Sequence, residues 1–224
     1  MQLATRIERR TGNSGWIDVV WTFGLGATGV IGALLPFGDG PLGRRLFVAV
    51  LVAAWALRLG LHIAGRTRGI SDDPRYARMK RDWGPEAPVR MARLLQFQAL
   101  ASTPLAIGII LAAHNPAALG QAQDALGLAI FLVGIVGGAI ADRQLRAFAR
   151  SGQGGVCDTG LWALSRHPNY FFEAVLWCAY AVIASAMNYP IGWLAWLAPA
   201  SITLLLVRVS GIPPLEEHML AKHG

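Results

Sequence analysis

Six mostly apolar runs, each about 20 residues long, constrain this 224-residue chain more than any other feature. They fall at roughly 16–37, 46–64, 95–113, 124–141, 170–187 and 191–209. A single strand in lipid leaves its backbone groups unpaired, so each run is expected to be a helix. The predicted fold class is therefore all-α: a polytopic transmembrane helix bundle of about six spans. It forms one integral-membrane domain over residues 1–224, with polar segments at 1–15 and 210–224. Only 15% of the residues are charged, against about 25% in soluble domains, which points to a lipid bilayer as the solvent.

The net charge of +7 lies between the apolar runs and forms no single stripe. That pattern sets topology and meets anionic headgroups, and it excludes nucleic acid as the expected partner. Arg66, Arg68, Arg75, Arg78, Lys80, Arg81, Arg90 and Arg93 lie between the second and third runs, and Arg143, Arg146, Arg150 and Arg166 between the fourth and fifth. Residues 114–123 and 188–190 carry no Lys or Arg, and only Arg44 and Arg45 depart from the trend. The expected orientation has both termini and both long basic segments in the cytoplasm. Arg6, Arg9 and Arg10 precede a long first run with no cleavage-site pattern, as for a first transmembrane helix. Cys157 and Cys178 fall in a loop and an apolar run, so two free thiols are expected, and no metal is.

Several polar groups sit where lipid makes them costly. Asp18, between Trp16 and Trp21 at the start of the first run, needs a partner or water. Arg58 and His62 are four apart and share a helix face. Arg58 either snorkels to headgroups or turns inward to Asp18 or an anionic ligand. Gln96 and Gln98 either bond across the bundle or line a polar cavity. Asp72 or Asp73 can cap a helix starting at Pro74. Asp142 and Arg146 form an i,i+4 pair, read either as a solvated pair or as a cofactor clamp with its carboxylate on ribose and its arginine on phosphate. Asp18, Trp21, Arg58, His62 and Gln96 are the candidates for a substrate cavity.

The densest chemistry lies in Asp158–Glu173, directly before and within the fifth run. Pro168 suits the first helical position, with His167 near the N-cap. Asn169 and Glu173 share a face. The helix N-terminus and Arg166 favour an anion, and the Asn169 amide suits a carboxamide or an adenine edge. Asp142, Arg146, Arg166, His167, Asn169, Tyr170 and Glu173 are the cofactor candidates; a capped, charge-anchored helix start is the alternative.

The run Gly160-Leu161-Trp162, then Ser165-Arg166-His167-Pro168-Asn169-Tyr170 with Glu173, resembles the signature of the bacterial DUF1295 family, grouped with steroid 5-alpha-reductase-like membrane proteins. Trp16-Ile17-Asp18 with Trp21, Arg58-Leu59, Asp73-Pro74-Arg75-Tyr76, Asp142 with Gln144-Leu145, and Ser210-Gly211-Ile212-Pro213 with Glu216 extend the resemblance over nearly the whole chain. It implies a helical oxidoreductase of the bacterial inner membrane that takes NADPH from the cytoplasm and reduces the C=C bond of a lipophilic enone. In that family Asn169, Glu173 and Asp142 would lie on the cofactor side. The Glu and Tyr that hold a steroid ketone have no match here, so steroid specificity is not implied. Phe172 stands where the family usually has glycine, which is expected to crowd the pocket.

Isoprenylcysteine carboxyl methyltransferases have a related bundle and a similar Arg-His-Pro-x-Tyr motif, which Arg166–Tyr170 fits, as Glu216-Glu217 fits their paired glutamates. An S-adenosylmethionine-dependent methyltransferase is therefore the rival expectation, and a non-enzymatic lipid-binding or scaffold protein the third. Asn169 with Glu173, and Asp142 with Gln144-Leu145, favour the reductase.

Overall fold

The computed structural model describes residues 2–217 apart from 153, 210 and 214. His218 and the rest of the C-terminal segment lie outside the described residues, as does Ser210. Among the described residues the fold is helical, with one isolated bridge between Ala186 and Tyr189. Amphipathic α1 (Gln2–Thr11) leads into the hairpin of α2 (Trp16–Leu34) and α3 (Leu42–Arg68). The polar arm α4 (Pro74–Trp83) follows, then α5 (Ala87–Ala101) and α6 (Thr103–Ala113). The long α7 (Ala122–Ser151) packs along α8 (Pro168–Ala184), and α9 (Leu197–Leu204) closes the bundle.

Five helical segments are long and apolar enough to cross a membrane: Trp16–Leu34, Leu42–Arg68, Pro74–Ala113, Ala122–Ser151 and Pro190–Val209. The protein is thus a polytopic helical bundle. Of the six expected spans, the one at 170–187 is the 17-residue α8, because the chain turns at Ser185–Tyr189. The span at 95–113 is two helices meeting at Ser102, two residues before Pro104. The span at 191–209 is a 3₁₀ turn (Pro190–Trp196), α9 and a π-helical turn (Leu205–Val209). Conversely, α7 runs ten residues past the expected limit of 141, since apolarity marks where lipid ends and not where the helix ends. It stops at Gly152, whose φ of +70° is the left-handed C-terminal geometry that glycine adopts freely.

Close helix contact comes from small residues. A Cβ on Gly26 would collide with Ala56, and one on Gly134 with Leu176. The interior is centred on aromatic rings: Trp55 and Trp177 meet edge-to-face at 5.1 Å, and Trp21 meets Trp55 at 6.3 Å. A second cluster of Ile17, Tyr76, Met91 and Leu95 pins α4 and α5 to α2.

The two arginines that depart from the charge pattern both have partners within the fold. Arg44, with no exposed surface, donates to both carboxylate oxygens of Asp124 (2.6 and 2.9 Å) and to the carbonyls of Ala117 and Ala118. Asp124 also accepts the backbone N–H groups of Gly120 and Gln121. Arg45 donates to the carbonyls of Ala33 and Leu34 at the end of α2, where a cation complements the helix dipole.

Candidate functional site

The arginine-rich end of the bundle encloses a cavity of about 180 Å³. The start of α2 contributes Asp18 and Trp21, the end of α3 contributes Arg58, His62 and Arg66, and α4 contributes Arg75. From the other side come Asp142 on α7 and Asn169, Tyr170 and Glu173 on α8. Four of the cofactor candidates and four of the substrate candidates thus meet in one cavity. Leu59, Ile63, Ile202, Leu205 and Leu206 form its apolar wall, the last two from the π-helical turn. Such turns occur often at functional sites, because the extra residue re-aims the side chains.

Each polar wall is fixed by a partner from another element. Arg58 turns inward, to Asp142 at 2.7 Å and not to Asp18. Gly138 makes room for it, since a Cβ there would lie 2.8 Å from Arg58 Nη2. Arg146 does not pair with Asp142 along the helix; its Nη1 donates to His62 Nδ1 at 2.8 Å. A guanidinium can only donate, so Nδ1 accepts, and the other ring nitrogen lies 3.6 Å from Asp142.

Asp18 is met by Arg75 (2.6 Å) and by the Tyr76 hydroxyl (2.8 Å). Arg75 is in turn held by Asp73, which caps α4 by accepting the Arg75 backbone N–H. Burial opposes ionisation of Asp73, but the hydrogen bonds and charge of Arg75, with the charge of Arg66, outweigh it and hold its pKa below the ordinary value. Asp72 behaves alike: its burial is outweighed by Lys80 and by the N–H of Ser14. With folded pKa values depressed, these carboxylates stabilise the fold fully above about pH 4 and lose that contribution as pH falls through the folded values. Asp73→Asn is expected to flatten the acid limb of a pH–stability profile; an unchanged limb contradicts this assignment.

On α8 the structure puts His167 at the N-cap and Pro168 in the first turn. Glu173 accepts the indole N–H groups of Trp55 (2.7 Å) and Trp177 (3.1 Å), so the aromatic centre is the floor of the site. The Asn169 side chain makes no hydrogen bond within the described residues, and its Oδ1 is buried. The Tyr170 hydroxyl also lacks a partner there, while its ring stacks on His167 at 5.5 Å.

Three cofactor candidates lie outside the cavity lining. Arg146 is exposed on α7, Arg166 is 86% exposed and 3.6 Å from Glu216, and His167 Nε2 is 3.3 Å from the same carboxylate. Gln96 is exposed, and Gln98 lines the cavity in its place. The signal was in the sequence: Met91 and Leu95 are buried, and helical spacing from them puts 98, not 96, on the inner face. Phe172 does not crowd the cavity; its ring fills the space left by Gly137 on α7.

The remaining motif residues dock the 160–162 turn onto α7. Gln144 accepts the Leu161 N–H (3.0 Å), and Trp162 donates to the Ala141 carbonyl (3.0 Å), next to Asp142. Gly160, at φ +60°, lies where a Cβ would strike the Gln144 amide.

The family model described as "Protein of unknown function (DUF1295)" matches residues 5–224. No curated protein and no solved structure matches the chain significantly. With a match that begins before α2 and takes in every wall of the cavity, the chain belongs to the DUF1295 family.

Proposed function

We propose that this protein is a membrane-embedded reductase that adds hydride from NADPH to the β carbon of a C=C bond in a lipophilic enone. The observation that carries this reading is Asn169, an amide in the cavity with a buried, unpartnered Oδ1. A buried acceptor calls for a donor, and the carboxamide N–H of a nicotinamide is one.

The residues fit the reacting end of such a cofactor. About 180 Å³ is small beside the roughly 300–1,000 Å³ of whole-ligand pockets. Arg58, Arg66 and Arg75 are balanced by Asp18, Asp142 and Glu173, which suits an uncharged ring. The phosphates fall to exposed Arg143, Arg146, Arg150 and Arg166 on the same end. Bound NADPH supplies the hydride; with one proton the enone becomes a saturated ketone and NADP⁺ is released. Asn169 orients the carboxamide, and the free Tyr170 hydroxyl donates to the enone oxygen, where negative charge develops. The apolar wall excludes water and recognises a lipid-soluble body. The inner membrane of a bacterium, with both termini cytoplasmic, brings this end to the NADPH pool.

One observation favours the rival. A cavity with three guanidiniums and three carboxylates also suits the amino-acid end of S-adenosylmethionine, whose adenine amino group could satisfy Asn169. A scaffold role leaves that buried amide unexplained. The test is to give proteoliposomes NADPH deuterated at the transferable hydrogen, with a 3-oxo-4-ene steroid and a long-chain 2-enone. One deuterium at the β carbon, lost in Tyr170→Phe, is expected. Methyl transfer from labelled S-adenosylmethionine to a prenylcysteine, without NADPH oxidation, overturns the reading.

A further inference from the structure

At the end of the bundle opposite the polar cavity lies a second cavity, about 390 Å³ in volume. The two are separated by most of α2, about 24 Å at the helical rise. Phe37 and Asp39 from the α2–α3 turn, His114 from the end of α6, and Asn188 and Tyr189 from the turn after α8 line it.

Its base is His114, 6% exposed. Nε2 lies 3.1 Å from the Gly32 carbonyl oxygen. A carbonyl can only accept, so Nε2 carries the proton and Nδ1 of the neutral ring is a lone-pair acceptor. Nδ1 is buried without a partner among the described residues. His114 and Gly38 both line the cavity, and a Cβ on Gly38 would lie 3.8 Å from this nitrogen.

The other polar groups of the lining are also unpartnered. Among the described residues the Asp39 carboxylate has no ion pair or hydrogen bond, and the Asn188 amide and Tyr189 hydroxyl have no partner. Among the described residues no Lys or Arg lines the cavity. Phe37 adds an aromatic wall, its ring 6.2 Å from that of His114. A carboxylate, a buried imidazole lone pair and aromatic faces together call for a small cation with several N–H donors.

We propose that this cavity binds a primary ammonium group, held by Asp39 and His114 Nδ1 against the rings of Phe37 and Tyr189. Such a group is carried by a soluble amine or by the ethanolamine headgroup of a lipid in the leaflet on that side. Phe37 and Trp193, 68% and 51% exposed, are aromatic residues of the kind that gather at a membrane interface.

The test uses the full chain in detergent, in two arms. One follows thermal unfolding with ethanolamine hydrochloride against equal sodium chloride. The other measures lipid retention by native mass spectrometry from an equimolar mixture of phosphatidylethanolamine and phosphatidylglycerol. Saturable stabilisation or selective retention of phosphatidylethanolamine, weakened about tenfold in Asp39→Asn, is expected. The Asp39 side chain makes no bond among the described residues, so this variant should unfold at the wild-type midpoint without ligand. Retention alone identifies a headgroup site, and stabilisation by ethanolamine as well identifies one open to soluble amines. No preference in either arm, or an effect that survives Asp39→Asn, overturns the proposal.

Discussion

Replacing Asp124 with alanine is expected to destabilise the bundle by about 3–5 kcal/mol, the cost of leaving one member of a buried ion pair uncompensated. Arg44 has no exposed surface and takes both oxygens of Asp124. The carbonyls of Ala117 and Ala118 accept from it but cannot neutralise it. The lost carboxylate also leaves the N–H groups of Gly120 and Gln121 without their acceptor at the start of α7. Thermal or denaturant unfolding in detergent measures the effect. Arg44→Met with Asp124→Leu should recover much of the loss, because removing both charges also removes their desolvation cost. A loss under about 1 kcal/mol, the scale of exposed pairs, would show that water reaches this site.

If the protein is the reductase proposed above, Asp142→Asn is expected to lower turnover about 100-fold, the scale set by an ångström of misplacement at a reacting centre. Asp142 holds Arg58 at 2.7 Å and faces His62 at 3.6 Å. The amide keeps the shape and one acceptor but not the charge that draws in both. Arg58 is then left without its counter-charge in a mostly buried site, so the melting temperature should fall as well, and turnover is read well below it. NADPH oxidation in proteoliposomes reads the first effect and thermal unfolding the second. A less than threefold fall in turnover would leave Asp142 with a packing role only.

Much of this was legible in the sequence, because lipid leaves few solutions. The apolar runs became helices, Pro74 and Pro168 opened helices as their fixed φ dictates, and Asp73 became a cap. Asp18, Arg58, His62 and Asp142 were marked by the cost of polar groups in an apolar stretch, and all four line the cavity. What composition could not supply was pairing between distant segments. Arg58 and Asp142 are 84 positions apart, as are Arg146 and His62. Asn13, which donates to the carbonyls of Thr67 and Ile70 and so ties the approach of α2 to the Asp72–Asp73 turn, carries no local pattern. Phe172 was misjudged because its neighbour is a glycine on another helix. Four of the residues assigned to the cofactor and four of those assigned to the substrate line the same cavity.

The most direct test of the proposed function is a calorimetric titration of the detergent-purified protein with NADPH and, separately, with S-adenosylmethionine, for the wild type and Asn169→Ala. The reductase reading predicts saturable NADPH binding that weakens about tenfold when the buried acceptor is lost, and no S-adenosylmethionine binding. Saturable binding of S-adenosylmethionine alone, or NADPH binding indifferent to Asn169→Ala, would contradict it.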